Sequence, residues 1–194
     1  MTIPFPNIIK AQVTQSLIAS LLERGGYRVT RLGIEELIGE IKSLNLNEYN
    51  NLGLPIQLRT LPDLLVANRE MTEIQLVEVK YRRRFDAKSR QSLYKELSKQ
   101  REYWQVIVAI IVIGESFLPG GRFHQDYIRV LPGYETDRLI NQPSENSGRV
   151  NITEEERWNS LPMIQHVFRS FLATEALYTY ADYLTRVIKE LKKL

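Results

Sequence analysis

Residues 59–82 read RTLPDLLVANREMTEIQLVEVKYR. Two apolar runs, Arg59 to Ala67 and Glu73 to Tyr81, flank the polar connector Asn68-Arg69-Glu70-Met71-Thr72. That pattern predicts two strands joined by a turn. Residues facing each other across an antiparallel hairpin have numbers that sum to a constant. Asp63 and Glu78 sum to 141, which centres the turn between Glu70 and Met71, inside the polar connector. The two carboxylates are therefore expected opposite one another, with Cβ atoms about 5 Å apart. Side chains alternate along a strand, so Lys80 is expected on the same face as Glu78. Two like charges facing each other among Leu64, Leu65, Leu76 and Val77 destabilise a sheet unless something compensates. A hard divalent cation would, since Mg²⁺ takes one or two carboxylates, keeps waters and accepts phosphate oxygens. Lys80 bridging both carboxylates is the alternative.

Outward from this hairpin the chain predicts further elements. Asn7 can cap a helix from Ile8 to Arg24, with Ala11, Ile18 and Leu22 on one stripe, and Gly25-Gly26 stops it. Tyr27 to Leu32 reads as a strand, Ile34 to Leu44 as an inserted helix and Asn45 to Gly53 as polar loop. After the hairpin, Ala87 to Trp104 has a helical pattern with Leu93, Leu97 and Trp104 inward. Gln105 to Gly114, QVIVAIIVIG, reads as a strand buried on both faces, and Tyr127 to Leu131 as an edge strand. Asn141 to Gly148 is loop by composition. Thr153-x-x-Glu156 is a capping box, and Pro162 suits the first turn of a helix running towards Leu194. This places a core domain in residues 1–140, with the insert at 34–44, and a helical extension in 150–194 that packs on the core or on a second copy.

Composition narrows the chemistry. The 194 residues are 43% hydrophobic and 25% charged, which is globular, and they fit one domain with an appendage. With no cysteine, disulfide scaffolds, thiolate metal sites and cysteine nucleophiles are excluded. Two histidines, His124 and His166, exclude a multi-histidine cage. The most apolar run, Val106 to Ile113, has eight residues, far below the roughly 20 a bilayer span needs, so no membrane partner is expected. The start MTIPFPNIIK lacks the basic and apolar segments of an export signal, so the expected location is cytoplasmic.

Net charge is only +3, but its distribution is uneven. Between Lys80 and Arg101 nine basic residues stand against Asp86 and Glu96, so that segment carries +7. A local positive field steers polyanions, whereas a solvated helix face with salt-bridging neighbours is the plainer account. Arg82, Arg83, Arg84, Lys88 and Arg90 follow Lys80 closely, where a phosphate backbone would pass.

Pro62-Asp63, a gap of 14 residues, then Glu78-Val79-Lys80 resembles the PD-(D/E)XK nuclease superfamily. Gly26-Tyr27-Arg28-Val29 after the first helix is similar to its Holliday-junction-resolvase-like and restriction-endonuclease-like members. The resemblance covers residues 8–114. It implies an α/β restriction-endonuclease-like core, ordered α-β-β-β-α-β around a mixed central sheet flanked by helices, with the C-terminal helices as an extension. It further implies Asp63, Glu78 and the Val79 carbonyl as ligands of Mg²⁺, or Mn²⁺, and Lys80 as water-positioning base or charge stabiliser. Many members carry a glutamate early in the first helix, and that position falls here on Gln15, which adds no negative charge. Some carry a Gln and a Tyr on the helix after the motif, for which Gln91 with Tyr94, and Gln100 with Tyr103, are both candidates.

Three readings follow. One is a metal-dependent nuclease acting on nucleic acid, DNA in the first place. Another is a module that kept the fold and binds nucleic acid without cleaving it. The last is a scaffold that dimerises through its C-terminal helix.

Overall fold

A computed structural model of the chain describes residues 5–44, 46–105, 107–117, 126–133, 135–140, 152–169, 175–191 and 193. Helix α1 (Phe5–Arg24) ends in a Schellman turn: Tyr27 N–H donates to Leu22 O at 3.1 Å and Gly26 N–H to Glu23 O at 3.0 Å. Gly26 sits at φ 92°, where a side chain would clash, so the Gly25-Gly26 stop has a steric cause. Strands follow as β1 (Arg28–Arg31), β2 (Leu64–Ala67) and β3 (Ile74–Arg82). Helix α5 (Ala87–Arg101) then leads to β4 (Ile107–Ile113) and β5 (Ile128–Leu131).

The five strands form one mixed sheet in the order β1-β2-β3-β4-β5, antiparallel except for the parallel β3–β4 pair, which α5 connects. The hairpin register is the expected one, since Leu64 pairs with Val77 and Ala67 with Ile74, both summing to 141. Asn68 closes its turn by accepting Thr72 N–H at 2.8 Å and Glu73 N–H at 3.1 Å.

Strand β4 explains why both faces are covered. Val108, Ile110 and Val112 join one core with Ile18 and Leu22 of α1. Ala109, Ile111 and Ile113 point the other way and join Leu93 and Leu97 of α5, Trp158 and Leu161. Every β4 residue is buried, as a continuous apolar run requires. Val77 and Val79 belong to the α1 side, so Glu78 and Lys80 turn towards α5.

The region between β1 and β2 differs from expectation. The single helix over 34–44 is two pieces, α2 (Ile34–Leu37) and a 3-10 turn Gly39–Ser43, broken at Ile38, whose φ −127° and ψ 87° are not helical. The expected loop over 45–53 contains α3 (Leu46–Asn51). The expected strand over 59–67 starts only at Leu64, because Pro55 opens a helical turn, α4 (Ile56–Arg59). Arg59 holds this insert together, donating to Leu54 O and Asn50 O at 3.1 Å and lying over the Tyr49 ring.

The C-terminal part also departs from one continuous helix. It comprises α6 (Glu154–Asn159), α7 (Ile164–Val167) and α8 (Glu175–Leu191), with α6 opened by the expected Thr153–Glu156 capping box. Phe168, at φ −96° and ψ 80°, ends α7. Ile164, Phe168 and Ile188 sit in the same core as α1, so the extension covers this chain's own sheet. Pro162 O accepts Val130 N–H at 2.9 Å, which covers the outer edge of β5. His124, the loop over 141–148 and Phe171 lie outside the described residues.

Candidate active site

Strand β2 begins one residue after Asp63, and that short start shapes the site. In register, Val79 would face Pro62, which has no N–H to offer and lies outside the ladder. The Val79 carbonyl thus has no ladder donor there, and the Val79 N–H donates to the Asp63 carboxylate instead, Oδ2 accepting at 2.7 Å. Along an extended strand the N–H and C=O of one residue point to the same side. The Val79 carbonyl therefore faces the same uncovered flank as Asp63. The other Asp63 oxygen accepts from Gln15 Nε2 of α1 at 2.7 Å. The position of Asp63 is also fixed through its backbone, whose carbonyl accepts Leu32 N–H at 2.8 Å.

Glu78 is buried on the neighbouring strand and held from α5 and from Lys80. Its Oε2 accepts from Gln100 Nε2 at 2.7 Å, and its Oε1 lies 2.7 Å from Lys80 Nζ. Gln100 Nε2 also donates to Thr60 O at 3.0 Å. A backbone carbonyl only accepts, so the Gln100 amide has one permitted orientation. Of the two Gln–Tyr pairs expected as candidates, Gln100 is buried against Glu78, whereas Gln91 is exposed and Tyr103 is partly exposed.

Lys80 sits between two carboxylates, 2.7 Å from Glu78 and 3.6 Å from Glu96. Burial alone would lower its pKa, but Glu78, and more weakly Asp63 and Glu96, outweigh that and raise it above 10.5. Glu96 is in turn fixed by Arg82 Nη2 at 2.5 Å and Ser92 Oγ at 2.8 Å. Burial would push the Glu96 carboxyl up, yet Arg82, Lys80 and Ser92 hold it below 4.5. Sequence reasoning passed over Glu96 as one of two acids in a basic run. Its signal was helical: Ser92, Glu96 and Gln100 recur every four residues beside the inward Leu93 and Leu97.

Asp63, Glu78 and the Val79 carbonyl are all hard oxygen donors on one flank of the sheet. Among the described residues no group of three or more Asp, Glu, His or Cys could hold a metal. A cation here would therefore rest on two carboxylates, a carbonyl and oxygens from water or substrate, which suits Mg²⁺.

The basic residues after Lys80 divide. Arg82 is bound to Glu96, and Arg83 and Arg84 both pair with Glu115. Arg90 turns inward rather than towards a phosphate: its Nε and Nη2 grip Glu154 at 2.6 and 2.7 Å, and its Nη1 donates to Leu139 O at 2.6 Å. It clasps α5 to α6. Lys88 is exposed on the first turn of α5. Glu115 and Glu154, from outside the +7 segment, return to it and remove two units of its charge.

Comparison with protein-family models, with curated proteins and with solved structures gave no match. None of the described helices is long and apolar enough to cross a membrane.

Proposed function

We propose that the chain is a Mg²⁺-dependent nuclease with a restriction-endonuclease-like core, hydrolysing phosphodiester bonds in nucleic acid, DNA in the first place. One observation carries this reading: Asp63, Glu78 and Lys80 gather where β2 starts late and leaves the Val79 flank of β3 uncovered. The order α1, three antiparallel strands, α5 and a parallel β4 supports it. A divalent cation held by Asp63, Glu78 and the Val79 carbonyl would polarise a phosphate oxygen and acidify a water. Lys80, whose ammonium lies 2.7 Å from Glu78 and 3.6 Å from Glu96, would stabilise charge developing on the phosphate. Gln100, itself held by Thr60 O, fixes the Glu78 carboxylate, and Gln15 fixes Asp63, so neither side chain must be ordered when substrate arrives.

The test incubates single-stranded, duplex and junction DNA, and RNA, with Mg²⁺, Mn²⁺ or EDTA, beside Glu78→Ala and Lys80→Ala proteins. Cleavage confined to the wild-type chain with metal is expected. No cleavage of any substrate, or equal cleavage by Glu78→Ala, refutes the proposal.

A second reading is a nucleic-acid-binding module without catalysis, favoured by one feature. Gln15 and Gln100 are neutral amides already bonded to the two carboxylates, and Gln15 brings no charge for a cation. Calorimetry separates the two: DNA binding intact with no Mg²⁺ uptake supports the module.

A further inference from the structure

Arg83 and Arg84 lie just beyond the end of β3, and Glu115 just beyond the end of the parallel β4. The ladder continues past the last assigned residues, with Gly114 N–H donating to Arg82 O at 2.9 Å and Glu115 N–H to Arg83 O at 3.0 Å. That places the Glu115 carboxylate between two guanidinium groups. Oε1 accepts from Arg83 Nε at 2.9 Å, and Oε2 accepts from Arg84 Nε in a shorter bond. Each arginine is gripped through Nε alone. The Nη1 and Nη2 groups of both make no hydrogen bond among the described residues.

Exposure runs the same way. The arginine side chains are 67% and 63% exposed while Glu115 is 18% exposed, so the carboxylate lies beneath and the forks lie outside. Hydrogen bonding to Glu115, then its charge, raises the Arg84 pKa, consistent with a settled pair. Two parallel N–H donors on a planar fork match the geometry of a phosphate. Arg82 and Arg90, by contrast, have donors committed to Glu96, Glu154 and backbone carbonyls.

We infer that Arg83 and Arg84, yoked through Nε by Glu115, form a two-guanidinium seat for a backbone phosphate of nucleic acid, with Glu115 as its positioning residue. The inference rests on the nuclease reading for the identity of the anion and adds where the strand runs. Arg83 is three residues past Lys80, just beyond β3, about 10 Å at the rise of a strand, which corresponds to about three nucleotides of duplex rise. The seat thus takes a phosphate a few nucleotides away from the reacting one.

The experiment measures binding of a fluorescein-labelled DNA duplex by anisotropy across a KCl series, with EDTA present to prevent cleavage. The proteins are wild type, Arg83→Gln/Arg84→Gln, Glu115→Asp, and Arg186→Gln as a control from the exposed side of α8. The double variant is expected to lower the slope of log K against log salt by about one, for the one phosphate the seat neutralises. Glu115→Asp keeps the charge but cannot reach both Nε atoms, so binding is expected to weaken by about two- to ten-fold, the cost of ordering a long side chain anew. Arg186→Gln should match wild type. A wild-type slope in the double variant, or Glu115→Asp binding as tightly as wild type, overturns the seat while leaving the nuclease reading intact. Failure of the wild-type chain to bind DNA at any salt overturns that reading and the seat with it.

Discussion

Replacing Lys80 by Met tests what neutralises the buried Glu78. The ammonium lies 2.7 Å from a carboxylate whose side chain is only 7% exposed, while Lys80 itself is 23% exposed. Removing one partner of a buried ion pair costs about 3–5 kcal/mol, because the other charge is left uncompensated. Two features pull the figure down: Gln100 still donates to Glu78 at 2.7 Å, and the ammonium site is partly open to water. The expected loss is about 2–3 kcal/mol. Glu78→Gln alone exchanges one charge-assisted bond for a neutral one and leaves Lys80 paired with Glu96 at 3.6 Å, so it should cost about 1 kcal/mol. In the Glu78→Gln/Lys80→Met protein neither position leaves a buried charge, and the total should stay near 2 kcal/mol. The coupling between the two positions is therefore expected near 1–2 kcal/mol, well above the scatter of independent sites. Urea unfolding followed by tryptophan fluorescence measures it, with midpoint shifts of about 1 M for a slope of 2–3 kcal/mol per M. A coupling below about 0.5 kcal/mol would show that the ammonium is not what compensates Glu78. The folded double variant should also fail to cleave nucleic acid.

Three further outcomes can be checked. A methyl group on Gly133 would lie 2.2 Å from Ile107 O and 2.7 Å from Ile107 N, so Gly133→Ala should cost about 2 kcal/mol and lower Tm by about 4–8 °C in calorimetry. Met71 occupies φ 59° at the exposed hairpin turn, and Met71→Gly should therefore stabilise the chain by about 0.5–1 kcal/mol in urea unfolding. Glu96 is depressed in the folded state, so its stabilisation is complete above about pH 4.5 and drains away as pH falls through the folded value. Glu96→Gln should accordingly flatten the acid limb of a stability–pH profile, whereas an unchanged limb would deny the Arg82–Lys80 interaction.

The hairpin and β4 were legible for a simple reason. Antiparallel register follows from numbering once the turn is located, and the polar connector at 68–72 located it. Eight apolar residues in a row leave no polar face, so burial of β4 on both sides followed from composition. The insert was not legible, because Ile38 is apolar and periodic yet takes a non-helical conformation, and because Arg59 ties α3 and α4 together by reaching two carbonyls. No periodicity records such a contact. The basic run misled in part for a related cause. Its charge can be counted in sequence, but Glu115 and Glu154 come from distant segments, and only the fold returns them to Arg83, Arg84 and Arg90.

In the sequence alone the two carboxylates form an unrelieved pair of like charges that calls for a cation. The fold relieves them without one. Asp63 takes the Val79 N–H and the Gln15 amide, and Glu78 takes the Gln100 amide and the Lys80 ammonium. Charge frustration thus ceases to be the argument for metal, and geometry becomes it. Had β2 started three residues earlier, at Leu61, a ladder strand would lie along the Val79 flank and Asp63 would be one more residue within the strand. Pro62 prevents this, since it cannot donate to the ladder, and Asp63 bonds Val79 through its side chain instead. The flank that Pro62 keeps free of strand pairing is where two carboxylates, one carbonyl and the Lys80 ammonium meet. That coincidence of an unpaired strand flank with four chemically suited groups is what a purely structural salt bridge would not require.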